Sequence, residues 1–325
     1  DSKLDTLIAR LRYGRPARGF AVVVSASSGR RCRHHLPGPD RVWYTSLMAT
    51  HSKSIDFIAG PRMLIGMLHL PALPGSPGGS SGSGLPIDEL VAHVIGEAEI
   101  YQAAGFTALL IENMHDRPYL KGHVGPETVA MMAVVGREVR RAVSLPLGVQ
   151  VLAAANREAL AIALACDAAF IRVEGYVFAH VADEGLVESD AGTLLRYRRA
   201  IGADRIRIFA DIKKKHSSHA LTADIDVAET ARAAEFALAD GVIVTGSSTG
   251  RQASPEDVHA AADAVAIPVL VGSGITPANI DGYPTARGFI VGSSVKQGGD
   301  WRRPLDVPRT HAIAAAFHSL DGKTR

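Results

Sequence analysis

Residues 209–216, FADIKKKH, pass from an apolar run into Asp211, Lys213, Lys214, Lys215 and His216 without a spacer. A carboxylate and amines this close suit two kinds of chemistry. A lysine held beside Asp211 stays charged and donates a proton, whereas a desolvated lysine becomes an amine nucleophilic enough for a Schiff base. A plainer description also fits: a charged turn closing a strand, with Lys214 in water. Polar residues end other apolar runs in the same way. His69 closes 63–70, Glu112, Asn113 and Asp116 close 107–113, and Gln150 lies in 147–152. Arg172 and Glu174 end 169–175, and Thr245 ends 241–246. Acids, a lysine and histidines at several such ends are what proton-transfer chemistry needs. Each also has a structural alternative. Arg172–Glu174 and Asp211–Lys213 would serve as ion pairs, His69 as a core histidine, and Asn113 and Asp116 as turn residues bonding the backbone.

Two later segments suit an anion. VGSGIT (271–276) and IVGSSVK (290–296) set glycine and serine where a strand meets its turn. Small residues let backbone N–H groups approach a phosphate. Gly272, Ser273, Gly274, Gly292, Ser293 and Ser294 are the expected phosphate cradle; tight turns alone are the alternative.

These residues need a frame that gathers strand ends. From residue 61 apolar runs of strand length alternate with segments of helical period, eight of each, the seventh helix being a short one after Pro277. Continuous apolar runs suit strands of a parallel sheet buried on both faces. Eight units in about 260 residues predict an α/β fold, a closed (β/α)8 TIM barrel over 61–320, whose active sites lie at the C-terminal strand ends. An open doubly wound sheet is second, because no dinucleotide-binding glycine pattern follows the first strand. Alternation predicts Glu174 with Arg172, and Asp211 with Lys213, facing the barrel axis.

The chain of 325 residues carries 35 Lys and Arg against 33 Asp and Glu. Nine of those basic residues but only three acidic ones fall in 1–47, so the remainder is mildly acidic and makes no global electrostatic case for nucleic acid. Residues 1–55 are expected to be a poorly ordered basic leader, and 321–325 a tail. The leader is read either as an extension ahead of a start at Met48 or as a mitochondrial-type transit peptide. Two cysteines, Cys32 and Cys166, make neither a disulfide framework nor a metal site, and no apolar run spans a membrane. The expected location is cytoplasmic, with organellar import if the leader is a genuine transit peptide.

The motifs HLPALPGSP, ENMHDRP, FIRVEG, the RYR of 196–198, ADIKKKH, IVTGSSTG, VGSGIT and IVGSSVKQGG, in this order, resemble the BtpA/SgcQ family. That family is linked in name to photosystem I biogenesis and to a sugar-operon protein. The resemblance covers residues 64–317 and implies a ribulose-phosphate-binding-type barrel. Three departures stand out. Gln150 replaces a typical Asn and is followed by Ala153, Ala154 and Ala155; Glu174 replaces another Asn; and Lys213 stands where the family commonly has His. Lys215 and His216 carry over by position. DIKKKH also resembles the D-x-K-x-x pattern of orotidine-monophosphate-decarboxylase-like barrels, with His216 where those have Asp. The expectation is an enzyme acting on a small phosphorylated sugar or related metabolite by lyase- or isomerase-type proton transfer. Asp211 and Glu174 are acid/base candidates, Lys213 or Lys215 the electrophile or proton donor, and His216 a shuttle. Glu112 and Asn113 would orient hydroxyls, with His69, Asp116, Gln150, Arg172 and Thr245 in binding roles. A non-catalytic assembly factor is the alternative, and a metal-dependent hydrolase using His69, Glu112, Glu174, Asp211 and His216 the third. No cofactor is required by the sequence, a divalent metal is admitted but unsupported, and a homo-oligomer is left open.

Overall fold

A computed structural model of the chain describes residues 60–77, 85–246 and 251–322. The leader 1–55 and most of the tail 321–325 lie outside the described residues.

Eight parallel strands close into a ring in chain order. They are β1 (Met63–His69), β2 (Ala108–Glu112), β3 (Leu147–Gln150), β4 (Phe170–Val173), β7 (Arg207–Ile212), β9 (Gly241–Val244), β10 (Val269–Val271) and β11 (Gly288–Val291). The seam is the parallel pairing of β1 with β11, Met63 opposite Gly288 and Gly66 opposite Val291. Seven α-helices among the described residues wrap the ring: α1 (Ile87–Ala104), α2 (Pro126–Ala142), α3 (Asn156–Cys166), α4 (Ala191–Ala200), α5 (Val227–Phe236), α6 (Pro255–Ala264) and α7 (Val307–Gly322). The expected helix after Pro277 is reduced to a single 3-10 turn at Ile280–Gly282. Local chemistry sets several ends. Asp226 and Ser254 accept the backbone N–H of Glu229 and Asp257 at the starts of α5 and α6, and Gly105 ends α1 in the left-handed region.

A small antiparallel sheet was not anticipated. β5 (His180–Ala182) and β6 (Gly185–Val187) form a hairpin after β4, and β8 (Ser217–Ser218) joins β5 from the segment after β7. Its tip, Asp183 and Glu184, lines the cavity at the mouth of the barrel.

The barrel interior is plugged by Met63, Ile65, Met67, Leu110, Phe170, Phe209, Ile243, Leu270 and Ile290. The two phenylalanines meet edge to face, centroids 5.6 Å apart. They fill space left by glycines: a Cβ on Gly148 would come within 2.2 Å of Phe170, and one on Gly241 within 2.5 Å of Phe209. A second apolar layer packs the strands against the helices. No helix among the described residues is long and apolar enough to cross a membrane.

Candidate active site

On several strands the inward series changes from apolar to polar at the C-terminal end. Met63, Ile65 and Met67 lead to His69 on β1; Ala108 and Leu110 lead to Glu112 on β2; Phe209 leads to Asp211 on β7. Beyond the apolar plug opens a cavity of about 740 Å³. His69, Glu112, Gln150, Arg172, Glu174, Lys214, Lys215 and His216 line one side, and Gly272, Ser273, Gly274, Gly292, Ser293 and Ser294 the other.

Two buried ion pairs organise the floor. Arg172 grips Asp211 side-on, Nε to Oδ1 and Nη2 to Oδ2 at 2.9 Å each. Burial alone would lower the Arg172 pKa, but Asp211 at this distance raises it overall. Lys214 donates to Glu174 Oε2 at 3.1 Å, and Gln150 Nε2 reaches the other oxygen at 3.5 Å. Asn156, at the start of α3, fixes the Glu174 backbone from both sides, donating to its carbonyl and accepting from its N–H. His69 Nε2 lies 3.6 Å from Glu112 Oε2, both residues buried. Burial, aided by the charges of Lys296 and His115, holds the His69 pKa down to about 3, so its ring is neutral. Burial raises the Glu112 pKa, opposed by Arg172 and Lys215.

The charged end of β7 departs from simple alternation. Lys213 has φ +47°, which turns its side chain off the Asp211 face, and its Nζ donates to the Thr222 carbonyl at 2.9 Å. Asp211 therefore pairs with Arg172, not with Lys213, and Lys213 does not line the cavity. Lys214, expected in water, is buried against Glu174. Lys215 reaches the far wall. Its N–H donates to Thr245 Oγ1 at 3.1 Å and its Nζ lies 3.5 Å from Ser273 Oγ. Burial and the nearby Arg172 lower its pKa. His216 stands exposed at the rim, its pKa lowered by burial and Lys215.

Asn113 and Asp116 brace loops. Asn113 Oδ1 accepts the Leu152 N–H, its Nδ2 donates to Asp116, and Asp116 accepts the Leu73 N–H. Gly272 and Gly292 are glycine for want of space: a Cβ would sit 2.7 Å from Ile243 Cγ2 in the first case and 3.2 Å from His69 Cε1 in the second. Gly274 has φ +66°. Ser293–Val295 forms a 3-10 turn whose Ser293 and Ser294 N–H groups have no acceptor among the described residues.

Sequence reasoning missed Arg309, whose Nη1 lies 3.4 Å from the Ser294 carbonyl, and the loop residues Arg117, Tyr119 and Trp301. Arg117 lies over the Trp301 ring, 4.9 Å from its centroid. The loop residues come from turns without periodic pattern and Arg309 from the first turn of α7, so only proximity in the fold reveals them. Among the described residues no three His, Cys, Asp or Glu stand together to hold a metal ion.

The profile of the BtpA family matches residues 61–319. An uncharacterized mitochondrial protein of Caenorhabditis elegans is 47% identical over 264 residues, 79% of this chain and 94% of its own. The photosystem I biogenesis protein BtpA of Synechocystis is 35% identical over 258 residues, 78% of this chain and 87% of its own. Among solved structures, (S)-3-O-geranylgeranylglyceryl phosphate synthase of Thermoplasma acidophilum, in complex with its substrate sn-glycerol-1-phosphate, has a TM-score of 0.51. It is 15% identical and covers 79% of this chain and 93% of that one, a likeness of fold alone.

Proposed function

Because the chain belongs to the BtpA family, we propose that its cavity is the active site of an enzyme acting on a small phosphorylated sugar or related metabolite, by proton transfer next to a carbonyl. The observation that carries this reading is the two-sided cavity: small-residue turns after β10 and β11 face acids and amines from β2, β4 and β7. Ser273, Gly274, Ser293 and Ser294 hold the phosphate, with Arg309 beside them. Glu174 and Glu112 exchange protons with the substrate, and His216 passes them to solvent. Asp211 works by holding Arg172. Gln150, whose buried Oε1 has no partner among the described residues, accepts from a substrate hydroxyl. The glycerol-phosphate complex of the Thermoplasma barrel supports a phosphorylated ligand on this fold.

The test is thermal protection. Inorganic phosphate or glycerol 1-phosphate raises the melting temperature of the parent, since a ligand of the native state stabilises it by mass action. Ser294→Asp, which sets a carboxylate at the cradle, removes that gain. Equal protection of parent and variant overturns the assignment.

A second reading, an assembly role, is favoured by the name of the Synechocystis relative and by Phe236 and Leu238, 90% and 68% exposed at the C-terminal end of α5. The mitochondrial relative supports organellar import for the basic leader over the cytoplasmic expectation.

A further inference from the structure

Three cations reach the cavity floor from β4 and the end of β7, and they are not equivalent. Arg172 is closed by both oxygens of Asp211, and Lys214 by Glu174. Lys215 has no carboxylate within ion-pair distance among the described residues, and its Nζ reaches the Ser273 hydroxyl at 3.5 Å. A half-buried amine with no directly paired carboxylate, near a guanidinium, is less favoured as an ammonium than one held in an ion pair.

We infer that Lys215 is a nucleophilic amine that condenses with the carbonyl of a phosphorylated aldehyde or ketone. This rests on the reading of the cavity as a sugar-phosphate site and names the reactive group of the substrate. Position supports it. The Thr245 hydroxyl anchors the Lys215 backbone, so the side chain crosses from the end of β7 to the turn after β10. A phosphate seated on Ser273 and Gly274 brings the attached carbonyl to the same amine. Burial lowers the Lys215 pKa and raises that of Glu112 against the attraction of the two groups for each other, and both shifts favour the neutral forms.

The step balances without an outside reagent. The Lys215 lone pair forms the C–N bond as the carbonyl π pair moves to oxygen. One hydrogen of the amine and one from the Glu112 carboxyl go to that oxygen. The C–O bond then breaks and water leaves, while the nitrogen lone pair forms a protonated C=N. Glu112 remains as a carboxylate, and the iminium withdraws electrons from the adjacent carbon, whose proton Glu174 is placed to take.

The full chain is incubated with dihydroxyacetone phosphate and sodium borohydride, whose hydride reduces the iminium to a stable secondary amine. Intact mass and peptide mapping then locate the adduct. The expected result is one adduct per chain, on Lys215, suppressed by inorganic phosphate. It persists in Lys213→Met, because the Lys213 amine faces Thr222, and is absent from Lys215→Arg. The arginine variant retains a cation, so its phosphate protection separates a covalent role from simple anion binding. An adduct on Lys215 in the parent supports the inference even if a variant fails to fold. No adduct on Lys215, or labelling of surface lysines that phosphate does not alter, overturns it. Thermal protection by phosphate, read without borohydride, tests the site itself, so protection without a Lys215 adduct overturns this inference alone.

Discussion

Arg172 and Asp211 lie on adjacent strands, β4 and β7, and meet through two parallel hydrogen bonds of 2.9 Å with almost no exposure to solvent. The bidentate fork fixes both groups at once, orienting Arg172 along the cavity floor. It also gives Asp211 a structural duty toward Arg172, a partner that its place in FADIKKKH did not disclose.

Asp211→Asn should therefore destabilise the fold, by about 3–5 kcal/mol, the usual consequence of leaving a buried charge without its partner. Lys213→Met should change stability little, because Lys213 is half-buried and bonded only to Thr222. Chemical denaturation of the two variants checks the pair. An Asn variant as stable as the parent would show that Arg172 finds another anion.

His69 predicts an acid limb in stability. Its folded-state pKa of about 3 lies below the ordinary 6.5, so the unfolded chain takes up the proton first as pH falls. Stability is intact above pH 6.5 and is lost progressively toward pH 3, by about 4–5 kcal/mol for this group alone. Burial lowers His180 to about 4, and His115 and His216 are lowered as well, so they act in the same direction. Glu112, with its pKa raised, opposes them in part. Melting curves between pH 7 and 4 should flatten in His69→Asn, and parallel curves for parent and variant would contradict the neutral imidazole.

Lys296, buried in the turn after β11, donates to Glu97 of α1 at 2.6 Å. Lys296→Met alone should cost about 3–5 kcal/mol, whereas joining it to Glu97→Leu should recover most of that loss. A double-mutant cycle in urea measures the coupling, and additive losses would show that the two side chains act independently.

Gly274→Ala should destabilise by about 1–3 kcal/mol. Its φ of +66° suits glycine, and the new Cβ would meet the Gln252 backbone nitrogen at 2.4 Å. The same crowding makes Gly274→Asp a poor probe of anion binding, which is why Ser294→Asp serves instead. A normal melt for Gly274→Ala would mean that the turn relaxes without strain.

The eight barrel strands were legible because each is an apolar run bounded by turn residues, from MLIGMLH on β1 to GFIV on β11. The inward facing of Arg172 and Asp211 followed from period-two alternation. Lys213 and Lys214 did not, because one residue at φ +47° inverts the pattern and no side-chain type announces it. The sheet of β5, β6 and β8 was hidden by its size, since strands of two or three residues carry no period. The helix expected after Pro277 needed an apolar face that residues 278–282 do not supply. Trp301 and Arg309 reach the cavity across long stretches of chain, a relation absent from local spacing.

The seam between β1 and β11 gives the molecule a history as well as a shape. β1 is buried along its whole length and pairs on one side with β2, which follows it closely in the chain. Its other partner is synthesised roughly 200 residues later, a delay on the order of 10–40 s at ordinary ribosomal speed. Throughout that interval the apolar edge of β1 has no native neighbour and can pair with other chains. The last strand to emerge thus shields the first, and a nascent chain stopped before Gly288 would be the form most in need of a chaperone.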